Sequence, residues 1–111
     1  MIDLKVYDYF KHFQNKDIAS LSDMFSEDIF LQDWENSCIG KDQVVAANEK
    51  LFSLVDSISI EVINLITKNN TAIAEMKIQI SIQDIVNSIN VVDVIQFDND
   101  GLISSVTAYK R

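Results

Sequence analysis

The chain has 111 residues, 48% of them apolar and 23% charged, the balance of one globular domain over 1–111 with enough apolar side chain for a core without disulfides. Seventeen acidic against nine basic residues give a net charge of −8, which argues against nucleic acid or an anionic membrane as partner, since both need clustered cations. No window approaches 18 uninterrupted apolar residues, and Met1-Ile2-Asp3-Leu4-Lys5 has no basic start before an apolar run, so neither a bilayer span nor a secretory signal is expected and the cytoplasm is the expected compartment.

The period of the sequence changes once, from helical spacing to strand spacing. Residues 2–14 read as a first helix, with Ile2, Val6, Tyr9, Phe10 and Phe13 on one face. Asp17 is placed as the N-cap of a second helix running to about Phe25, with Ile18, Leu21 and Phe25 as its stripe. Ile29-Phe30-Leu31 reads as a short strand delivering Gln32-Asp33-Trp34, and Glu35 to Gly40 as a polar loop. Lys41 to Val55 reads as a third helix whose inner side carries Val44, Val45, Asn48, Leu51, Phe52 and Val55. Four strands follow, over 57–67, 72–83, 88–97 and 102–110. Lys68-Asn69-Asn70 is a tight-turn signal, a second turn falls near Asp84–Asn87, and Gly101 suits a positive φ in the third. Helices first and an antiparallel meander afterwards predict an α+β fold with the sheet curled around the helices.

Metal and thiol chemistry find little to work with. Cys38 is single and His12 is the only histidine; neither sits in a nucleophile motif, and one His without a paired carboxylate spacing does not make a catalytic zinc site. With only Gly40 and Gly101 there is no phosphate loop, so no metal and no cofactor are expected.

Three polar residues stand where the pattern calls for apolar ones. Tyr9 is in the middle of the first helix's inner face, Asp33 ends the short strand, and Asp93 shares a strand face with Val91 and Ile95. Each has an ordinary explanation: a Tyr whose hydroxyl caps a core, an Asp capping a loop, an Asp on an outward face. The alternative is that all three converge on one pocket. Burial would keep Asp93 protonated, Tyr9 and Asp93 would both donate to one substrate oxygen, and Asp33 nearer the mouth would move a proton, the layout for abstracting a proton next to a carbonyl. Phe13, Trp34, Phe52, Met76 and Ile95 are the residues expected to form the apolar wall.

These residues resemble the nuclear transport factor 2-like superfamily, and within it the SnoaL-like and ketosteroid isomerase-like branch. The resemblance runs through Tyr9-Phe10, Asn15-Lys16-Asp17, Met24 to Asp28, Leu31-Gln32-Asp33, Gly40, Val91 to Asp98, Gly101-Leu102-Ile103 and Ala108-Tyr109, nearly the whole chain in order. It implies a cone-shaped half-barrel, three N-terminal helices packed on a strongly curved, mostly antiparallel sheet (a cystatin-like arrangement), with a deep pocket at the wide end. It also implies roles: Asp33 matches the general base of steroid isomerases, and Tyr9 and Asp93 match their oxyanion hole. Trp34 stands where those enzymes typically have Pro, and the sole Arg, Arg111, is terminal, unlike the pocket Arg of limonene epoxide hydrolases. The resulting expectation is a small cofactor-free isomerase or cyclase acting on an apolar ketone. The alternative is a non-catalytic ligand-binding or scaffold module of the same fold. A homodimer through the outer face of the sheet is expected on the family resemblance and on exposed Ile and Val.

Overall fold

The computed structural model describes residues 2–111. The elements run α1 (Asp3–Gln14), α2 (Ile18–Met24), β1 (Phe25–Gln32), β2 (Ser37–Ile39), α3 (Lys41–Leu54), β3 (Ser57–Lys68), β4 (Thr71–Ile82), β5 (Ile85–Phe97) and β6 (Ile103–Lys110). Three helices pack on one six-stranded sheet of order β2-β1-β6-β5-β4-β3. All neighbours are antiparallel except β1 and β6, which pair parallel.

The helices form where the sequence sets an apolar stripe and an end signal. On α1, Val6, Tyr9 and Phe10 are buried and Phe13 continues the stripe, while Leu4 and Tyr7 stay exposed. Asp17 caps α2 as expected, its Oδ1 accepting from the Ser20 N–H at 3.2 Å. Gly40, at φ 92°, begins α3, and the Gln43 side chain turns back to accept from the Ile39 N–H at 3.0 Å. Lys16, in left-handed conformation between α1 and α2, donates from Nζ to the carbonyl oxygens of Val55 and Asp56, tying that turn to the end of α3.

The long strands bury one face. Ala72, Ala74 and Met76 on β4 and Val91, Asp93, Ile95 and Phe97 on β5 point to the helices. Asn69 takes φ 55° in the β3–β4 turn, as its side chain tolerates. The core gathers Val6, Leu21, Phe25, Ile29, Val44, Ile95, Ile103 and their neighbours between α1, α3 and this face.

The strand boundaries differ from the sequence reading in three places. β1 has eight residues rather than three and begins at Phe25, the residue at which the second helix was expected to end. The polar loop contains β2, whose Cys38 pairs with Leu31. The β4–β5 turn is only Gln83-Asp84, both at positive φ, so β5 begins at Ile85 rather than 88. Two consecutive positive φ values make the tight turn whose twist matches the flanking strands, which lets the ladder continue to its tip. Among the described residues no helix is long and apolar enough to cross a membrane.

Candidate functional site

The helices do not fill the concave side of the sheet. Between them lies a cavity of about 350 Å³, a size suited to a small organic ligand. Tyr9, Phe10 and Phe13 of α1 and Ala47, Asn48 and Leu51 of α3 form its roof. Met76, Ile78 and Ile80 of β4 and Ile89, Val91 and Asp93 of β5 form its floor, with Ile60, Val106 and Ala108 alongside. Asp33, Trp34, Glu35, Asn36 and Lys110 stand around the mouth. The interior is therefore mainly apolar with a few placed polar groups, the usual make-up of a ligand site.

Two features of the sequence open this space above Asp93. On the neighbouring strands Asp93 faces Ala74 and Ala108, the smallest side chains that still belong to a strand face. Tyr9 is held from behind by aromatic rings: Phe10, Phe13 and Phe25 lie at centroid distances of 5.4, 6.1 and 6.4 Å.

The three polar residues picked out in the sequence all line this one cavity. Tyr9 and Asp93 are buried, at 5% and 7% exposure. Neither side chain hydrogen-bonds to another described residue, and neither is sealed off like the Ser26 hydroxyl, which is fully enclosed without a partner. Most polar groups that deep in a protein are paired, and the side on which Tyr9 and Asp93 are open is the cavity. Burial, with a smaller contribution from the Asp33 charge, pushes the Asp93 carboxyl up to about 7. Burial and then the Asp93 charge push the Tyr9 hydroxyl well above its ordinary range, so it stays a donor. These couplings run Asp33 to Asp93 to Tyr9, across one cavity.

Asp33 is different in kind. Its Oδ1 accepts from the backbone N–H groups of Glu35 and Asn36, both at 2.7 Å, and the Asn36 Nδ2 lies 3.3 Å from each carboxylate oxygen. It therefore caps the loop and also faces the cavity mouth. Oδ1 is occupied by the turn, while Oδ2 has only the long contact to Asn36 and is the oxygen open to a ligand.

Of the expected wall residues, Phe13, Trp34 and Met76 line the cavity. Two do not. Phe52 stands behind Phe13, ring to ring at 5.1 Å, and supports the roof without reaching the space. Ile95 is fully enclosed one step beyond Asp93 on the same face, packed in the core between Ala72 and Val106. Sharing a strand face with Asp93 put it in line with the cavity, but on β5 the lining ends at Asp93.

The sequence reading also passed over residues that line the site. Asn48 is 7% exposed on α3, in the stripe with Val44, and its amide makes no hydrogen bond to a described residue. The available signal was the same one that drew attention to Tyr9, a polar side chain inside an apolar stripe. Lys110, at the end of β6, holds its Nζ 5.4 Å from the centroid of the Trp34 ring and places one cation at the mouth. Nothing local marked it, because only the strand register points it inward. Among the described residues no cluster of three metal-ligating side chains occurs.

This architecture recurs in solved structures. An LEH-like epoxide hydrolase from M. tuberculosis superposes with TM-score 0.85 at 14% identity, over 96% of this chain and 79% of that one. A protein from Shewanella denitrificans described as a SnoaL-like polyketide cyclase gives 0.83 at 14% identity, over 93% and 85%. An NTF2-like protein of unknown function from Cytophaga hutchinsonii gives 0.80 at 19% identity, over the full length of both chains. At such identities the likeness speaks for the fold alone. No curated protein matches the sequence. The SnoaL-like domain model matches residues 6–106, which takes in most of α1, the loop at Asp33, α3 and the strand carrying Asp93. With the curved sheet, the helical roof and that match in agreement, the chain belongs to the SnoaL-like family of the nuclear transport factor 2-like superfamily.

Proposed function

We propose that the cavity takes an apolar, ketone-like small molecule and moves a proton next to its carbonyl without a cofactor, as a ketosteroid isomerase-like or cyclase-type enzyme. One observation carries this reading. Tyr9 and Asp93 are buried hydrogen-bonding groups without a partner among the described residues, and they face the cavity at whose mouth Asp33 stands. Two structural neighbours described as an epoxide hydrolase and a polyketide cyclase agree with an enzymatic role on this fold.

In this mechanism the substrate carbonyl points at Tyr9 and Asp93. Oδ2 of Asp33 takes the proton from the adjacent carbon, the electron pair of that C–H bond forms the double bond of the enolate, and the π pair of the carbonyl moves onto its oxygen. The Tyr9 hydroxyl and the protonated Asp93 carboxyl donate to the oxygen as charge builds on it. Asp33 then returns the proton to another carbon, or the enolate carbon attacks a second carbonyl carbon of the same molecule, whose π pair moves onto its own oxygen, and that oxygen takes the proton from Asp33. The apolar floor of Met76, Ile78 and Val91 excludes water and strengthens both hydrogen bonds. Lys110 is the cation at the mouth and no Arg lines the cavity, which sets the site apart from an Arg-centred epoxide hydrolase. We further propose that the protein acts as a homodimer through the outer face of its sheet.

The test is a titration of wild type and Asp93→Ala with equilenin-like phenols, whose oxygen mimics an enolate, followed by a search for turnover among unsaturated ketones. The expected result is binding that weakens in the variant. Removing one oxyanion donor should cost on the order of 100-fold in turnover, and Asp33→Asn should reduce it further. If no phenol binds either protein, the site does not hold an enolate, and the fold serves as a non-catalytic module. Unchanged turnover in Asp33→Asn would remove Asp33 from the mechanism.

A further inference from the structure

The mechanism leaves Asn48 without a task. Its side chain is buried, lines the cavity and has no hydrogen-bond partner among the described residues. It reaches the space from α3, whereas Tyr9 comes from α1 and Asp93 from β5. It bonds to neither of them, so it is not there to position the pair.

A carbonyl oxygen that accepts from both Tyr9 and Asp93 has its two lone pairs filled. Asn48 therefore meets another part of the ligand. A carboxamide offers N–H donors from Nδ2 and an acceptor at Oδ1, and leaving either unpaired on binding costs affinity. A second carbonyl on the ligand would serve the donor alone. An ammonium group would serve the acceptor alone. A hydroxyl serves both, accepting from Nδ2 and donating to Oδ1.

We propose that Asn48 is a specificity-determining residue that selects ligands carrying a hydroxyl group in addition to the carbonyl held by Tyr9 and Asp93. The substrate class is then a hydroxylated apolar ketone. This inference rests on the carbonyl site proposed above, and it makes the cavity two-pointed: one end fixes the reacting oxygen, and the helical roof reads a second oxygen. A site built to pair a hydroxyl rejects the analogue that lacks it, because its own buried groups are then left bare.

The experiment compares naphthol with a panel of dihydroxynaphthalenes covering the positional isomers, titrated against wild type, Asn48→Leu, Asn48→Ala and Asp93→Ala. The readout is the ratio of diol to naphthol affinity. At least one isomer should bind wild type about tenfold or more tightly than naphthol. In both Asn48 variants that ratio should fall to near one. Asp93→Ala should weaken naphthol and diol together. Two Asn48 variants guard against Leu merely filling the space, and melting temperatures confirm that each is folded. A wild type without preference for any diol, or a preference that survives in both Asn48 variants, overturns the role of Asn48 while leaving the carbonyl site standing. Naphthol binding that ignores Asp93→Ala overturns the carbonyl site instead, and with it the two-point reading. Absence of binding by every probe overturns both.

Discussion

A carboxyl group that titrates near 3.9 in an unfolded chain and at about 7 in the folded one makes stability depend on pH. Between those values the folded protein holds a proton on Asp93 that the unfolded chain has lost. Stability from this group is therefore fully present below about pH 4 and is lost as pH rises through about 7. The loss amounts to about 4 kcal/mol at most, at roughly 1.4 kcal/mol per unit. Asp93→Asn keeps the shape and removes the titration. Parallel urea unfolding of the two proteins between pH 4 and 8 should show the variant gaining on wild type as pH rises; a constant difference would mean that Asp93 is not held in its neutral form. Ligand binding should follow the same group, with neutral Asp93 the better donor. At this scale the sequence was most informative. Tyr9, Asp33 and Asp93 were legible because each breaks an apolar pattern, and breaking a pattern is costly unless something is gained. Phe52 and Ile95 were misplaced because they keep the pattern: position on a face says that a side chain is inside, not whether it meets core or cavity.

The two alanines beside Asp93 belong to the scale of strands. Ala74 and Ala108 sit opposite it on β4 and β6, and small side chains there leave the carboxyl open on the concave side. Ala108 lines the cavity and is half-buried, so a larger side chain extends into space already present rather than into a packed core. Ala108→Leu should therefore reduce phenol binding by about tenfold or more while leaving the melting temperature within a few degrees of wild type. Binding at wild-type strength would show that the ligand does not lie over Asp93. The register that makes this argument possible was only partly readable. Antiparallel hairpins β3–β4 and β4–β5 announce themselves through alternation and local turns. The parallel pairing of β1 with β6 joins residues about 75 positions apart, and no local signal encodes it. The polar Ser26-Glu27-Asp28 lies in the irregular stretch between the Phe25 and Phe30 pairings, and the three-residue β2 becomes a strand only through its partner β1. Lys110 enters the site for the same reason, as the last inward position of a strand whose register is set elsewhere.

Across the whole molecule the outer face of the sheet is the surface that remains to be explained. A row of Ile66, Ile73, Val94 and Thr107 crosses four paired strands there, and Tyr109 on the same face is well exposed. The charge on this face is balanced although the chain as a whole is strongly acidic: Glu61 stands opposite Lys77, and the alternation of the strands places Glu75 and Lys68 on the same side. The acidic excess lies mostly on helices, loops and turns, with Glu27 and Asp28 on β1, and it keeps copies soluble. A balanced face with an apolar row suits a two-fold, self-complementary contact, in which the same patch serves both copies. A stable dimer needs about 800 Å² from each partner, an area that a four-strand face of this kind can supply. Sedimentation at micromolar concentration should give a dimer for wild type and a folded monomer for the double variant Ile66→Lys, Ile73→Lys. The cavity opens on the opposite side of the sheet, so the monomeric variant should still bind phenols, with affinity within about threefold of wild type. A monomeric wild type would overturn the dimer, and a monomeric variant that no longer binds would mean that the second copy holds the sheet in the curvature the cavity requires.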